Sequence, residues 1–233
     1  MGGRAMKGLA VLIGCTLGLG GCSALTGGLP SDRLEEPGLL LTRAVVVLND
    51  VLVSPAGIAL DGALDSAAGV LIVPDLTAAG TQWGVSGGVG VLLGRDPASG
   101  AWSAPSFHRL TGVSGSVVED GAAVEAVLVV RDPVALQAIA ASSIDLGDEV
   151  SVESVPEGAG FDAELGADVA AWTVSGPAMV ALSLEGARLA PLTRWIEVYY
   201  GDRPAPAELV GSFDRDDAGA HQLRESLRRA SST

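Results

Sequence analysis

Alternation is clearest between Val85 and Leu93. Val85, Val89, Val91 and Leu93 share one parity, and Gly84, Ser86, Gly88 and Gly90 share the other. Successive side chains of a strand point to opposite faces, so this segment reads as a strand with one apolar face and one nearly bare. Glycine inside a strand marks a close backbone approach, and glycines at 84, 87, 88 and 90 predict another element lying against it. Asp96-Pro97 and Ser99-Gly100 supply a turn, which makes Trp83 to Ser106 a β-hairpin. The apolar runs Gly69 to Val73 and Val124 to Val130 suit buried strands, with Glu125 the lone charge in the second. Leu39 to Leu52 is apolar at most positions and reads as a largely buried helix, ended by Ser54-Pro55.

The remaining pattern continues in the same alternating style. A short helix is predicted over Asp61 to Ala68. Another opens at Asp132-Pro133, where Asp caps free N–H groups, Pro fits the first helical position, and Leu136 and Ile139 point inward. Glu149 to Val155 alternates and slips register at its end. Val169 to Val174 and Met179 to Leu184 form a second hairpin, and Pro191 to Tyr199 fits either a helix or a strand. From Phe213 the chain reads as a frayed helix or disorder. Strands outnumber helices and short turns join them. The expected fold is therefore α+β, a single domain of mainly antiparallel β-sheet with a few flanking helices. Hydrophobic residues make up 48% of the chain and aromatics only 4%, so its core is built from Val, Leu and Ala.

The first 21 residues stand apart from this pattern. Arg4 and Lys7 precede the apolar run Gly8 to Leu19, which is shorter than the roughly 20 apolar residues of a spanning helix. Leu19-Gly20-Gly21-Cys22 resembles the bacterial lipobox, which implies cleavage before Cys22 and lipidation of its sulfur and new amino terminus. An ordinary cleaved signal or an uncleaved anchor is the plainer alternative. Leu12-Ile13-Gly14-Cys15 has the same form behind a shorter apolar run, which makes Cys22 the better site. Ser23 after the cysteine resembles an outer-membrane address; in a single-membrane envelope the anchor would sit on the outer face of the plasma membrane. The expected organisation is a lipoprotein signal peptide over 1–21, a tether over 22–38, a domain over 39–211 and a charged flexible tail over 212–233. Such a mature chain keeps no free thiol, so it has no disulfide and no cysteine metal site.

Formal net charge is −14, and loss of Arg4 and Lys7 would make it −16. Lys7 is the only lysine. This balance opposes nucleic-acid binding, which draws its affinity from basic patches. It equally opposes adhesion to anionic lipid by general electrostatics.

Gly90-Val-Leu-Leu-Gly-Arg-Asp96 followed by Gly100-Ala-Trp-Ser-Ala-Pro-Ser106 resembles the central signature of the SYLF domain, a lipid-binding domain of actin-patch adaptors that also occurs in bacterial proteins. Ala68-Gly-Val-Leu-Ile-Val-Pro74, Leu146-Gly-Asp-Glu-Val-Ser-Val152, Val180-Ala-Leu-Ser-Leu-Glu-Gly186 and Tyr199-Tyr-Gly201 are similar to further segments of that family, in the same order. The resemblance implies a non-enzymatic domain that binds lipid, through basic residues and an amphipathic helix near its N-terminus. Here the chain departs from the family pattern. Ala68 and Ala79 stand where lysines are expected, and Arg43 is the only basic residue of the candidate helix. Phosphoinositide binding therefore does not carry over, and neither does actin binding if the domain faces a periplasm.

Candidate chemistry is sparse. Gly84-Val-Ser-Gly-Gly88 fits the G-x-S-x-G nucleophile elbow, with Ser86 as nucleophile, but that motif needs a helix after the serine and a strand is expected instead. The same glycines lack the following helix N-terminus of a dinucleotide site. No cofactor is expected, and the two histidines, His108 and His221, are too far apart in sequence to point to a transition-metal site. Asp214, Asp216 and Asp217 lack the spacing of a dedicated calcium loop. The tryptophans at 83, 102, 172 and 195 read mostly as core, with Trp102 the one to watch because it follows the signature turn. Arg95 and Arg131 each precede an Asp, which reads as solvated salt bridging or, more sharply, as head-group contact. Candidate lipid- or partner-binding residues are thus Arg43, Arg95, Trp102 and Arg131, with Cys22 the lipidation site. The expected function is a lipid-anchored envelope protein that contacts phospholipid or another envelope component. The alternatives are a protein-interaction module without lipid specificity and, more distantly, a serine hydrolase using Ser86.

Overall fold

A computed structural model describes residues 37–54, 57–77, 86–113, 123–155, 166–175, 178–179 and 182–231. The leader, Cys15, Cys22, the tether up to residue 36, Ala79, Trp83, Gly84 and Val85 lie outside them. The helices are α1 (Pro37–Val53), α2 (Gly57–Asp65), α3 (Pro133–Ala141), α4 (Thr193–Tyr200), α5 (Pro206–Leu209) and α6 (His221–Ala230). The strands are β1 (Gly69–Thr77), β2 (Ser86–Gly94), β3 (Ser106–Val113), β4 (Ala123–Val130), β5 (Ile144–Asp145), β6 (Val152–Ser154), β7 (Val169–Ser175), β8 (Ala178–Met179) and β9 (Arg188–Pro191). They form one sheet in the order β5-β9-β3-β2-β1-β4-β7-β6, with β8 on β7. Every strand pair is antiparallel except β6 with β7. The architecture is α+β, as the strand-rich pattern predicts.

Strands β1 and β4 read as continuous apolar runs because both of their faces are covered. Val70, Ile72, Val127 and Val129 pack with Leu40, Leu41 and Leu48 of α1, Leu60 of α2, Ile196 of α4 and Leu227 of α6. Leu71, Val73, Leu128 and Val130 pack on the opposite face with Leu136 and Ile139 of α3 and with Leu182 and Leu184. The predicted cap of α3 is present: the Asp132 carboxylate accepts from the Ala135 N–H at 3.0 Å, with Pro133 in the first turn.

The hairpin of β2 and β3 turns at residues 95–102. Asp96 accepts from the Ala98 N–H at 3.1 Å and from the Ser99 N–H and hydroxyl, and Gly100 closes the turn at φ +71°. The element lying against the β2 glycines is its neighbour β1, not a separate layer. Between the paired positions Ile72–Val91 and Thr77–Gly87, β1 carries one residue more than β2. It also carries one more than β4 between Val73–Ala126 and Leu76–Val124. The bulge holds Pro74, which has no N–H to give the ladder and is tolerated inside a sheet only at such a place. A Cβ on Gly88 would stand 2.5 Å from the Asp75 carbonyl oxygen, and one on Gly90 2.8 Å from that of Ile72.

Several boundaries differ from the sequence reading. The second helix occupies Gly57–Asp65, not 61–68, because Ala67 and Ala68 already lead into β1. The second hairpin keeps only β8 beyond its turn among the described residues, and Leu182 and Leu184 cap the sheet face instead. Pro191 ends the short strand β9 and α4 follows it, so the segment is both extended and helical. The segment read as a flexible tail is the largest correction. Residues 221–230 form α6, whose Leu223, Leu227 and Ala230 are buried in the same cluster as α1. Its charges lie on the outer face, which is why a helix half buried in the core looks polar in sequence.

Candidate functional site

The candidate arginines divide between the two ends of the sheet. The backbone N–H of Arg95 donates to the Ala68 carbonyl at 2.8 Å, and the N–H of Ala68 donates to the Val130 carbonyl at 2.9 Å. Arg95 and Arg131 therefore flank Ala68, one of the positions where lysine was expected. Arg95 Nη1 donates to the Asp65 carbonyl at 2.6 Å, tying α2 to the turn of the hairpin. Arg131 Nη1 donates to the Ala167 carbonyl at 3.2 Å and lies beside Asp168. Arg43 is at the other end, 3.4 Å from Asp75 in the bulge. Nearby Glu125 is half-buried; burial first, then Asp50, raises its carboxyl above its ordinary value, and Arg43 opposes the shift. Trp102 joins neither group. It is 3% exposed and packs in the core on the helical face, so it is a core residue and not a contact residue.

Histidine placement bears on the serine. His108 pairs with Gly90 across the hairpin, four positions along β2 from Ser86, which pairs with Val113. At about 3.3 Å per residue that is roughly 13 Å. His108 Nε2 instead lies 3.0 Å from Ser106 Oγ, both residues fully buried, and burial lowers its pKa to about 3. A strand, not a helix, follows Ser86. Among the described residues no group of three or more His, Cys, Asp or Glu could hold a metal ion. Asp217 serves the fold: it accepts from the Ala220 N–H at the start of α6 and from the Tyr199 hydroxyl, at 3.1 and 2.5 Å.

Among the described residues, four of the six exposed large apolar side chains lie on α1 and at the start of α2. Leu39, Val46 and Val53 are 52%, 53% and 84% exposed, and Ile58 at the start of α2 is 69% exposed. Positions 39, 46 and 53 are seven apart, so they fall on one stripe of the helix, opposite the buried Leu41, Leu48 and Val51. Thr42 and Asn49 border this stripe on one side, and the exposed Asp50 and the half-buried Arg43, which is paired with Asp75, border it on the other. The α1–α2 corner is tight: a Cβ on Gly57 would stand 1.9 Å from the Leu52 carbonyl oxygen. Beside this corner is a recess of about 370 Å³ lined by Asn49, Leu52, Gly57, Ile58, Asp61, Ser226, Arg229 and Ala230. Burial, and then Asp65, raise the Asp61 carboxyl above its ordinary value. Arg229 Nη2 donates to the Ser226 hydroxyl at 3.3 Å. The seven-residue spacing was visible in the sequence, but inside a run apolar at nearly every position it could not be told from core. Arg229 was missed because its segment was read as a tail.

Among the described residues no single helix is long and apolar enough to cross a membrane; the bent pair of α1 and α2 passes by length and composition only. No curated protein matches the chain. The family described as Ysc84, Las17-binding protein actin regulator, matches residues 111–230. That range holds three of the five resembling segments, at 146–152, 180–186 and 199–201, and runs through α6. The match spans just over half of the 233 residues, so the chain belongs to the Ysc84, or SYLF-domain, family.

Proposed function

We propose that this protein is a non-enzymatic envelope lipoprotein, anchored through Cys22 and residing on the periplasmic face of the outer membrane, whose SYLF-family domain contacts the bilayer surface through α1. The exposed stripe of Leu39, Val46 and Val53, continued by Ile58, carries this reading. A stripe of large apolar residues at the start of the domain follows directly on the segment that leads from the lipidated cysteine. In an anchored chain this helix would be the first element of the domain after the tether. An interfacial helix gains by burying such a face in the headgroup–acyl boundary. The surrounding acids oppose a lysine-like phosphoinositide grip, so apolar insertion supplies the affinity.

Two measurements test this. Cys22→Ala is expected to release the protein from membranes or stall its processing; normal cleavage with unchanged membrane fractionation and no lost lipid mass would refute the anchor. On the unlipidated full chain, Val46→Ser with Val53→Ser is expected to abolish flotation with liposomes while leaving thermal stability unchanged. Unimpaired flotation of that double variant would remove α1 from the contact.

A further inference from the structure

Helix α2 sets an acid beside its one exposed large apolar side chain. Ile58 and Asp61 are three positions apart and so are neighbours on the helix surface, while Leu60 and Leu64 take the buried side. Asp61 is only partly exposed, and Asp65, four positions on, is exposed. Ile58 and Asp61 both line the recess at the α1–α2 corner, where α1 contributes the uncharged Asn49 and Leu52. The charged group that α6 brings to this recess is Arg229, which donates to the Ser226 hydroxyl at 3.3 Å and lies 4.0 Å from the Glu225 carboxylate. Burial, and then Asp65, disfavour the ionised form of Asp61 even before any contact is made.

We propose that Asp61 is a proton-controlled gate on the membrane contact: ionised, it holds the α2 end off the bilayer, and protonated, it lets Ile58 and Val53 insert. This deepens the membrane-contact reading and rests on it. The gate follows from distance. Helix neighbours of this spacing have Cβ atoms about 5–6 Å apart. An interfacial helix buries its apolar face by roughly 5–10 Å. Ile58 therefore cannot be seated without drawing Asp61 out of water. Loss of water disfavours the carboxylate against the carboxylic acid, so seating raises its affinity for a proton. By linkage, a contact that takes up a proton tightens as pH falls. Protonation of Asp61 also removes its repulsion with Asp65, so both effects act in the same direction. His108 plays no part in the contact, because it is fully buried in β3.

The test is flotation of the full chain carrying Cys22→Ala with vesicles of phosphatidylcholine alone, whose headgroup keeps a constant charge over the range used. Partitioning should tighten by about fivefold between about pH 7.5 and about pH 4.5, the size expected when seating raises one carboxyl by about one pKa unit. Asp61→Asn should partition more tightly than the parent at the higher pH and lose most of the pH dependence. Asp61→Glu should keep it. The gain of Asp61→Asn at neutral pH, on protein shown to be folded by circular dichroism, is a result that acid unfolding cannot produce. A parent profile flat in pH, or an Asp61→Asn variant with the parent's profile, would overturn the proposal. Either of those results, with flotation still lost in the Val46→Ser, Val53→Ser double variant, removes the gate and leaves the α1 contact standing. No flotation of the parent at any pH removes both.

Discussion

Gly88 shows how a single missing side chain can hold a sheet together. The bulged β1 strand leans its Asp75 carbonyl and the side chains of Val73 and Leu76 over β2, into space that any Cβ would fill. Gly88→Val is expected to lower the midpoint of denaturant unfolding by the equivalent of about 1–3 kcal/mol or more, the usual range for overpacking. An unchanged midpoint would show that β1 can retreat. His108 offers a second test. Its ring is neutral in the fold with a pKa of about 3, against 6.5 when unfolded. Between those values the unfolded chain binds more protons, so stability rises with pH across the window. The contribution is fully present above about pH 6.5 and is lost as pH falls toward 3; by pH 5 the loss is about 2 kcal/mol. Replacing His108 with Gln should flatten the pH 5–7 part of the stability profile, read by urea unfolding. A slope equal to that of the parent chain would assign it to other groups.

Among the elements, α6 carries the largest consequence. Its Leu223 and Leu227 are one helical turn apart and fully buried beside α1, and the Tyr199–Asp217 bond fastens the start of the segment to α4. Leu227→Ala should cost about 2–5 kcal/mol, and deletion of 212–233 should leave a domain that unfolds well below the temperature of the intact chain. A truncated protein with native thermal stability would restore the reading of a flexible tail. Strands were legible in the sequence where both faces are buried or where alternation is strict, as in β1, β2 and β4, and α3 was legible from its cap. Helix α6 was not, because only its Leu223, Leu227 and Ala230 stripe is apolar, and charged residues dominate its composition. Strands β5 and β9 are too short for any period to be read. The site suffered in the same way: Arg43, Arg95 and Arg131 were visible as bases, but their carboxylate and carbonyl partners are brought in by the fold.

At the scale of the whole molecule, charge decides which lipid surface the proposed contact would favour. With a net charge of −14, Arg43 paired with Asp75 and Arg131 beside Asp168, the chain offers little to an anionic surface. The unlipidated full chain should bind zwitterionic vesicles at least as well as anionic ones, with affinity flat or rising between 0.1 and 1 M salt, as the Debye length falls from about 10 Å to about 3 Å. Ala68→Lys would place an ammonium between Arg95 and Arg131, and with Ala79→Lys should shift preference toward anionic lipid. Strong anionic binding by the parent chain that collapses in salt would contradict this.

The sheet ends in β5 on one side and β6 on the other, strands of two and three residues. An anchored protein is confined to two dimensions, where neighbours meet far more often than in free solution and a long open edge would invite one copy to add its strand to the next. Among the described residues, the border strands themselves are only two and three residues long. Crowding on a lipid surface should therefore leave the copies as independent units. If the chain is anchored as proposed, short margins of this kind should oppose edge-to-edge joining of neighbouring copies.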